Sequence, residues 1–131
     1  MDAYPTPEAA GAAGASASVA RISRDLVALG VRRGGLLLVH SSLKSLGPVP
    51  GGPETVIRGM LDALGPDSTL LLPALSYSFV TPQDPVFDVR VTKSCVGAIP
   101  EHFRTRTGTL RSVPPPHSVA ATGPRAQALL G

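Results

Sequence analysis

The sequence predicts an α/β fold, a three-layer α/β/α sandwich built on a largely parallel sheet. Two observations lead to this prediction. An apolar strand, an amphipathic helix and a second apolar strand follow one another along the chain, which is the order of a crossover unit with parallel strands. Both strands are apolar along nearly their whole length, which is typical of strands whose two faces are covered by helices.

Two helices and two strands are predicted in the first part of the chain. Val19, Ile22, Leu26 and Leu29 recur at helical spacing, and Gly30 supplies the residue that commonly follows a helix end. The run "LLLV" over 36–39 is the first strand. A second helix begins at Pro53, which suits the first helical position, and ends before Gly65; "STLLLPAL" over 68–75 is the second strand.

The later part of the chain is richer in loops. A long, proline-punctuated loop covers 80–92, a short helix opens at Pro100, and Pro114–Pro116 forms an extended rod. A short strand follows over 118–122, and a further helix begins after Pro124. Residues 1–17 predict a disordered leader without the basic start of a signal peptide, so the folded part is expected over 18–131.

Composition limits the class of protein. A chain of 131 residues is enough for one domain, and its net charge of +3 favours anionic ligands. The densest basic stretch, Arg104, Arg106 and Arg111, is too sparse to indicate nucleic-acid binding, and no apolar run is long enough for a membrane helix. Cys95 is the only cysteine, which excludes an internal disulfide and suits a reducing cytoplasm.

Polar residues follow the two predicted strands directly. His-Ser-Ser occupies 40–42, and Ser-Tyr-Ser occupies 76–78. Ligands of open α/β sheets sit outside the carboxyl ends of the strands, so the two segments are expected side by side at a candidate site. Hydroxyls that cap loose backbone groups at strand ends remain the alternative interpretation.

His117, Arg111 and Ser112 are further candidates. Histidine is the usual general base near neutral pH, although a histidine next to a serine at a strand start is more often a packed, hydrogen-bonded residue. The planar guanidinium of Arg111, together with Ser112, suits a phosphate or carboxylate. The three histidines lack the spacing of a zinc site, and neither a phosphate-binding glycine loop nor a G-x-S-x-G motif is present.

Two stretches carry a resemblance to a known family. "RDLVALGVRRGGLLLVHSSLKSLGPVPGGPETVIRGMLDALGPDSTLLLPALSYS" and "TKSCVGAIPEHFRTRTGTLRSVPPPHSVAATGPRA" are similar to the N-terminal half of the aminoglycoside 3-N-acetyltransferases, over about 24–130. The resemblance implies an α/β/α sandwich that transfers acetyl from acetyl-CoA to the 3-amino group of a 2-deoxystreptamine antibiotic, without a metal. It also implies roles for individual residues: acetyl-CoA binding by His40, Ser41, Ser42, Leu43, Arg111, Ser112 and Ser118; substrate binding by Tyr77, Asp84 and Asp88; and a base at His117.

The chain departs from the family pattern in several places. Pro114 stands where the family has a histidine, and Lys93 and Thr107 stand where prolines are common. Relatives continue beyond Gly131 with a further histidine motif that resembles the source of the main base, so this polypeptide alone is expected to be weakly active or inactive.

Three alternatives stay open at this point. The first is a non-catalytic remnant that binds CoA or only folds, and the second is an acyltransferase for another amine, suggested by the "DPVFDVR" loop. The third is a hydrolase that uses Ser41 or Ser118 with His117. Self-association through exposed strand edges is a further hypothesis.

Overall fold

The computed structural model describes residues 18–114 and 117–131. The predicted leader over 1–17 lies outside these residues, as do Pro115 and Pro116 of the predicted rod. The elements in chain order are α1 (Val19–Ala28), β1 (Leu36–Leu38), a 3-10 turn (Lys44–Leu46), α2 (Pro53–Leu64), β2 (Thr69–Pro73), α3 (Ala98–Thr105), β3 (Leu110–Arg111), β4 (Val119–Thr122) and α4 (Ala126–Leu130).

Local sequence explains where the helices begin and end. The Ser18 hydroxyl accepts a hydrogen bond from the amide of Arg21 at 3.1 Å and caps α1. Pro53 occupies the first turn of α2, and Gly65, with a φ of 79°, ends it. The helices predicted from periodicity are therefore confirmed, with ends within two residues of those expected.

The sheet has four strands in the order β1-β2-β4-β3. β1 and β2 are parallel, as the strand–helix–strand order predicts. β4 runs antiparallel to β2, and β3 runs antiparallel to β4. The α/β class is confirmed, but the sheet is mixed rather than largely parallel. The reason is the short connection from Arg111 to Val119, which reverses the chain without the helical crossover that a parallel pair needs.

The core lies between one face of the sheet and helices α2 and α3. Fully buried members of this cluster are Val56, Ile57, Leu64, Leu70, Leu72, Ile99, Phe103 and Ala120. α1 packs on α2 at Gly59, where an added Cβ would lie 2.5 Å from Ile22 Cγ2. The close approach of the two helices therefore requires glycine at this position.

The second face of the sheet is covered only in part. The amide of Arg125, just before α4, donates to Thr69 Oγ1 at 3.1 Å, and both Thr69 and Ala121 are fully buried. In contrast, Leu36 and Leu38 of β1 are 45% and 53% exposed. The expectation that both faces would be covered is therefore wrong for β1.

Within the described residues, the helices are too short or too polar to cross a membrane. The cytoplasmic location stays a prediction.

Candidate functional site

The strand directions bring the predicted segments to one edge of the sheet. β1 and β2 run in parallel, so the residues that follow them leave at the same edge. β4 runs the opposite way and enters there, and β3, antiparallel to β4, ends there at Arg111. We call residues 40–43, 74–78, 111–112 and 117–118 the polar rim.

Arg111 is the most extensively bonded side chain of the polar rim. Its Nε donates to Ser118 Oγ at 2.8 Å, and its Nη2 donates to Ala74 O at 2.9 Å and to Ser76 Oγ at 2.7 Å. Its Nη1 donates to the carbonyl of Thr92. Four of the five guanidinium donors are thus engaged by the protein, and the guanidinium joins β2, β4 and the long loop. Its predicted contact with a cofactor stays a prediction.

The surroundings of Arg111 are partly desolvated. Burial lowers the pKa of its guanidinium, and the positive charge of Arg104 acts in the same direction, while Glu101 opposes them. The guanidinium carbon also lies 5.0 Å from the centre of the Phe87 ring. This cation–π contact attaches the long loop to the rim at a second point.

The serines near Arg111 form hydrogen bonds with other groups of the protein. Ser118 is fully buried and donates to Ala74 O at 2.9 Å. Ser76, also fully buried, donates to the carbonyl of Lys93 at 2.6 Å, and Ser112 Oγ accepts from the amide of Val119 at 2.8 Å. Such bonding does not favour Ser118 as the nucleophile of a hydrolase, because its hydroxyl is enclosed and already donates its proton.

The polar residues that follow β1 are bonded less within the protein than those around Arg111. His40 and Ser42 are exposed, and Leu43 packs against the core. The hydroxyl of Ser41 is buried and has no hydrogen-bond partner within the described part of the chain. Gly97 lies near the Ser41 backbone, since an added Cβ at Gly97 would be 3.9 Å from the Ser41 carbonyl oxygen.

The amino terminus of α3 faces this segment. Gly97 precedes the helix with a φ of 120°, a conformation that favours glycine, and no described side chain caps the helix start. Glu101 in the first turn accepts hydrogen bonds from Arg104 Nε at 2.6 Å and from the Ser94 amide at 2.8 Å. Burial raises the pKa of the Glu101 carboxyl, but these hydrogen bonds together with the positive charges of Arg104 and Arg111 outweigh it, so the net shift is downward.

The two remaining histidines differ in their surroundings. His117 is exposed at the polar rim, at the start of the segment that enters β4. His102 lies away from the rim and its Nε2 is 2.8 Å from Glu54 Oε1, while Arg106 binds the same carboxylate through two hydrogen bonds. These hydrogen bonds, first from Arg106 and then from His102, lower the pKa of Glu54. In residues 18–114 and 117–131, no three His, Cys, Asp or Glu side chains cluster as a metal site would require.

The predicted substrate residues lie on or beside the long loop. Tyr77 is 53% exposed at the end of β2. Asp84 is exposed in a turn in which it exchanges two backbone hydrogen bonds with Thr81. Asp88 forms an ion pair with Arg90 at 3.1 Å, and hydrogen bonds from Arg90 lower the pKa of the Asp88 carboxyl. Their roles in substrate binding stay predictions.

Several residues of this region were given no role in the site from the sequence. Thr92, Gly97, Glu101 and Arg104 all support the rim or the helix beside it. The spacing of Glu101 and Arg104, three residues apart on a helix, is a recognisable ion-pair signal. The contact between Thr92 and Arg111 has no such signal, because it joins residues far apart in the chain.

An α/β fold whose polar groups gather at the carboxyl ends of its strands belongs to the class that binds small ligands at that edge. The comparisons with known proteins agree with this class. The family model of aminoglycoside 3-N-acetyltransferase matches residues 38–131. The chain belongs to this family, and the resemblance inferred from the sequence is confirmed.

Three similar proteins illustrate the match. Aminoglycoside N(3)-acetyltransferase VIII of Streptomyces fradiae is 33% identical over 136 residues, covering 90% of this chain and 47% of the relative. The structure of AAC-IIIb with CoASH has a TM-score of 0.79 at 30% identity, covering 88% and 49% of the two chains. AAC-VIa bound to sisomicin has a TM-score of 0.77 at 31% identity, covering 88% and 49%. This chain thus spans about half the length of its relatives.

Proposed function

We propose that this chain forms the cofactor-binding half of an acetyl-CoA-dependent N-acetyltransferase that acts on the 3-amino group of a 2-deoxystreptamine aminoglycoside. One observation carries the proposal beyond family membership: the Ser41 hydroxyl, just after β1, is buried and has no described partner. The backbone carbonyl of the same residue lies near Gly97, which precedes α3. A buried hydroxyl without a partner is costly, so a ligand that supplies the partner explains its position.

The chemistry of the segment fits acetyl-CoA. The Ser41 hydroxyl can donate to or accept from an amide or carbonyl group of the pantetheine arm. The uncapped start of α3 presents backbone N–H groups and the positive end of the helix dipole, which suit a carbonyl oxygen or a phosphate. The structure of AAC-IIIb with CoASH, a protein of the same family, supports this choice of ligand.

The proposed reaction is a direct acyl transfer. The neutral amine of the aminoglycoside attacks the thioester carbonyl, a C–N bond forms, and the C–S bond breaks. The amine gives up a proton to a base, and CoA leaves as a thiolate. His117 is the candidate base within this chain because it is exposed at the rim where the cofactor is proposed to bind. We expect turnover by this polypeptide alone to be weak or absent, since it spans half of its relatives.

The acceptor is the least supported part of the proposal. A polycationic aminoglycoside requires carboxylates, and Asp84 and Asp88 are the acids of the long loop. Because Asp88 is already paired with Arg90, a substrate ammonium must compete with that guanidinium. The sisomicin complex of AAC-VIa supports an aminoglycoside acceptor. A cytoplasmic location also belongs to the proposal, and the single cysteine is compatible with it.

Calorimetric titration of CoA into the purified chain tests the proposal. We expect measurable binding, weakened about tenfold by Ser41→Ala because one buried hydrogen bond is lost. Ser45→Ala is the matched control, since Ser45 is exposed on the 3-10 turn. Absence of CoA binding, or equal affinities of the two variants, would contradict the proposal.

A thiol-release assay with acetyl-CoA and a panel of aminoglycosides then tests the acceptor. CoA release with one aminoglycoside but not without it would support the substrate class. Turnover at rates typical of complete enzymes would show that His117 or His40 suffices as the base, against our expectation of weak activity.

A further inference from the structure

The backbone around Lys93 is held beside the polar rim by three hydrogen bonds. The Lys93 carbonyl accepts from the buried hydroxyl of Ser76 at 2.6 Å. The carbonyl of the preceding residue accepts from Arg111, and the amide of the following residue donates to the Glu101 carboxylate at 2.8 Å. Because β3, α3 and the segment after β2 each supply one of these partners, the fold fixes the point from which the Lys93 side chain extends.

The ammonium of Lys93 is engaged less than the guanidinium groups near it. Lys93 is exposed, and its side chain forms no ion pair within residues 18–114 and 117–131. Arg104, in contrast, binds both oxygens of the Glu101 carboxylate, at 2.6 and 2.7 Å. Arg111 has one of its five donors left after its contacts with the protein. Lys93 therefore offers the most accessible positive charge of this group.

The charges around Lys93 are predominantly positive. Besides burial, the charge of Arg104 lowers the pKa of the Arg111 guanidinium, so these two cations lie near each other. Three cations thus surround one carboxylate, that of Glu101, which Arg104 binds directly. Such an excess of positive charge attracts an anion and repels another cation. This side of the rim therefore suits a phosphate and does not suit a polycationic aminoglycoside.

We propose that Lys93 binds a phosphate group of CoA from its fixed position beside the polar rim. An ammonium supplies a compact charge and three donors, which a phosphate can use. Lys93 also stands where the family pattern commonly has proline, so this cation is a departure of the chain from that pattern. The inference rests on the proposed function, because it takes CoA as the ligand of the rim.

The test compares CoA with pantetheine, which lacks the phosphates, by calorimetric titration of the full chain at low ionic strength. Lys93→Gln should weaken CoA binding about fivefold, and the difference should shrink in high salt because exposed charges are screened. Pantetheine should bind the parent chain and this variant equally. Lys93→Arg should restore the affinity for CoA, since it keeps the charge. Arg58→Gln is the control: it removes one exposed charge from α2, away from the rim, and should leave CoA binding unchanged.

Dephospho-CoA identifies which phosphate is bound. If the effect of Lys93→Gln disappears with this ligand, Lys93 binds the 3′-phosphate; if the effect persists, Lys93 binds the pyrophosphate. Equal CoA affinities of Lys93→Gln and Arg58→Gln would overturn the inference, and so would an equal loss for CoA and pantetheine, which would reflect a change in the fold. These results leave the proposed function intact, whereas absence of CoA binding by the parent chain would overturn both.

Discussion

At one end of the polar rim, Arg111 binds four protein acceptors, whereas at the other end the Ser41 hydroxyl binds none within the described residues. Both ends lie at the same edge of the same sheet. Polar residues at the strand ends of one sheet therefore serve two purposes. Those around Arg111 satisfy one another and fix the backbone, and those around Ser41 leave hydrogen-bonding capacity for another molecule.

The two ends of the polar rim also contribute differently to the stability of the fold. A satisfied buried network stabilises the fold, while a buried hydroxyl without a partner lowers stability and is retained where a ligand uses it. Substitutions at the Arg111 end should therefore mainly lower the free energy of unfolding. Substitutions at the Ser41 end should mainly lower the affinity for the ligand.

The largest effect is expected for Arg111→Met. The change removes four hydrogen bonds and leaves the hydroxyls of Ser76 and Ser118 without their donor, so the free energy of unfolding should fall by about 3 kcal/mol. Urea denaturation measures this fall. Arg125→Met is the control, because Arg125 is exposed and its guanidinium makes one bond of 3.4 Å. Equal urea midpoints for the two variants would contradict the structural role of Arg111.

A smaller effect is expected for Ser118→Ala. It removes one acceptor from Arg111 and one donor to the Ala74 carbonyl, which should lower the free energy of unfolding by about 1–2 kcal/mol. Ser42→Ala, at the exposed end of the rim, should change it by less than about 0.5 kcal/mol. Equal losses of unfolding free energy for Ser118→Ala and Ser42→Ala would contradict the view that only the Arg111 end of the rim is bonded within the protein.

The third expected effect is a dependence of the stability of the fold on pH. Because the folded-state pKa of Glu101 is lowered, the unfolded chain binds more protons below about pH 5, and stability falls as the pH drops through the folded-state pKa. Glu101→Gln should flatten this part of a stability–pH profile measured by urea denaturation, and Arg104→Gln should do the same because it removes the largest hydrogen-bonding cause. Profiles parallel to that of the unchanged chain would refute this assignment.

No loss of stability is expected for Ser41→Ala. Its buried hydroxyl has no described partner and lowers the stability of the free chain, so its removal should leave the free energy of unfolding unchanged or raise it by up to about 1 kcal/mol, as urea denaturation measures. CoA affinity is expected to fall for the same variant, as set out above. A fall in stability as large as that of Ser118→Ala would indicate that the Ser41 hydroxyl is bonded within the protein.

The sequence was most informative where structure is local. Helical spacing located α1 and α2, and Gly30, Pro53 and Gly65 indicated their ends, because these signals depend on neighbouring residues. The convergence of 40–42 and 76–78 at one edge followed from the parallel order of β1 and β2. The pairing of Asp88 with Arg90 is equally local, although only a substrate role was expected for Asp88 from the sequence.

Long-range features could not be predicted in the same way. The two-residue strand β3 is too short to leave a periodic pattern, and the direction of β4 depends on that strand being its neighbour. Hydropathy made β1 resemble a strand covered on both faces, yet hydropathy does not reveal whether a covering element exists. The four contacts of Arg111 come from three separate segments, and only the folded backbone brings them together.

The strand order has a consequence for how the chain folds. β1 and β2 are joined by a single helix, so their pairing closes a modest loop, whereas β4 meets β2 only after the whole stretch from Ala74 to Ser118 has been traversed. Closing the longer loop costs more chain entropy, so the α1–β2 segment is expected to assemble before β4 docks. On a ribosome this order matches the order of synthesis. The hydrogen bonds of Arg111 would then form late, when β4 pairs with the α1–β2 segment that has already folded.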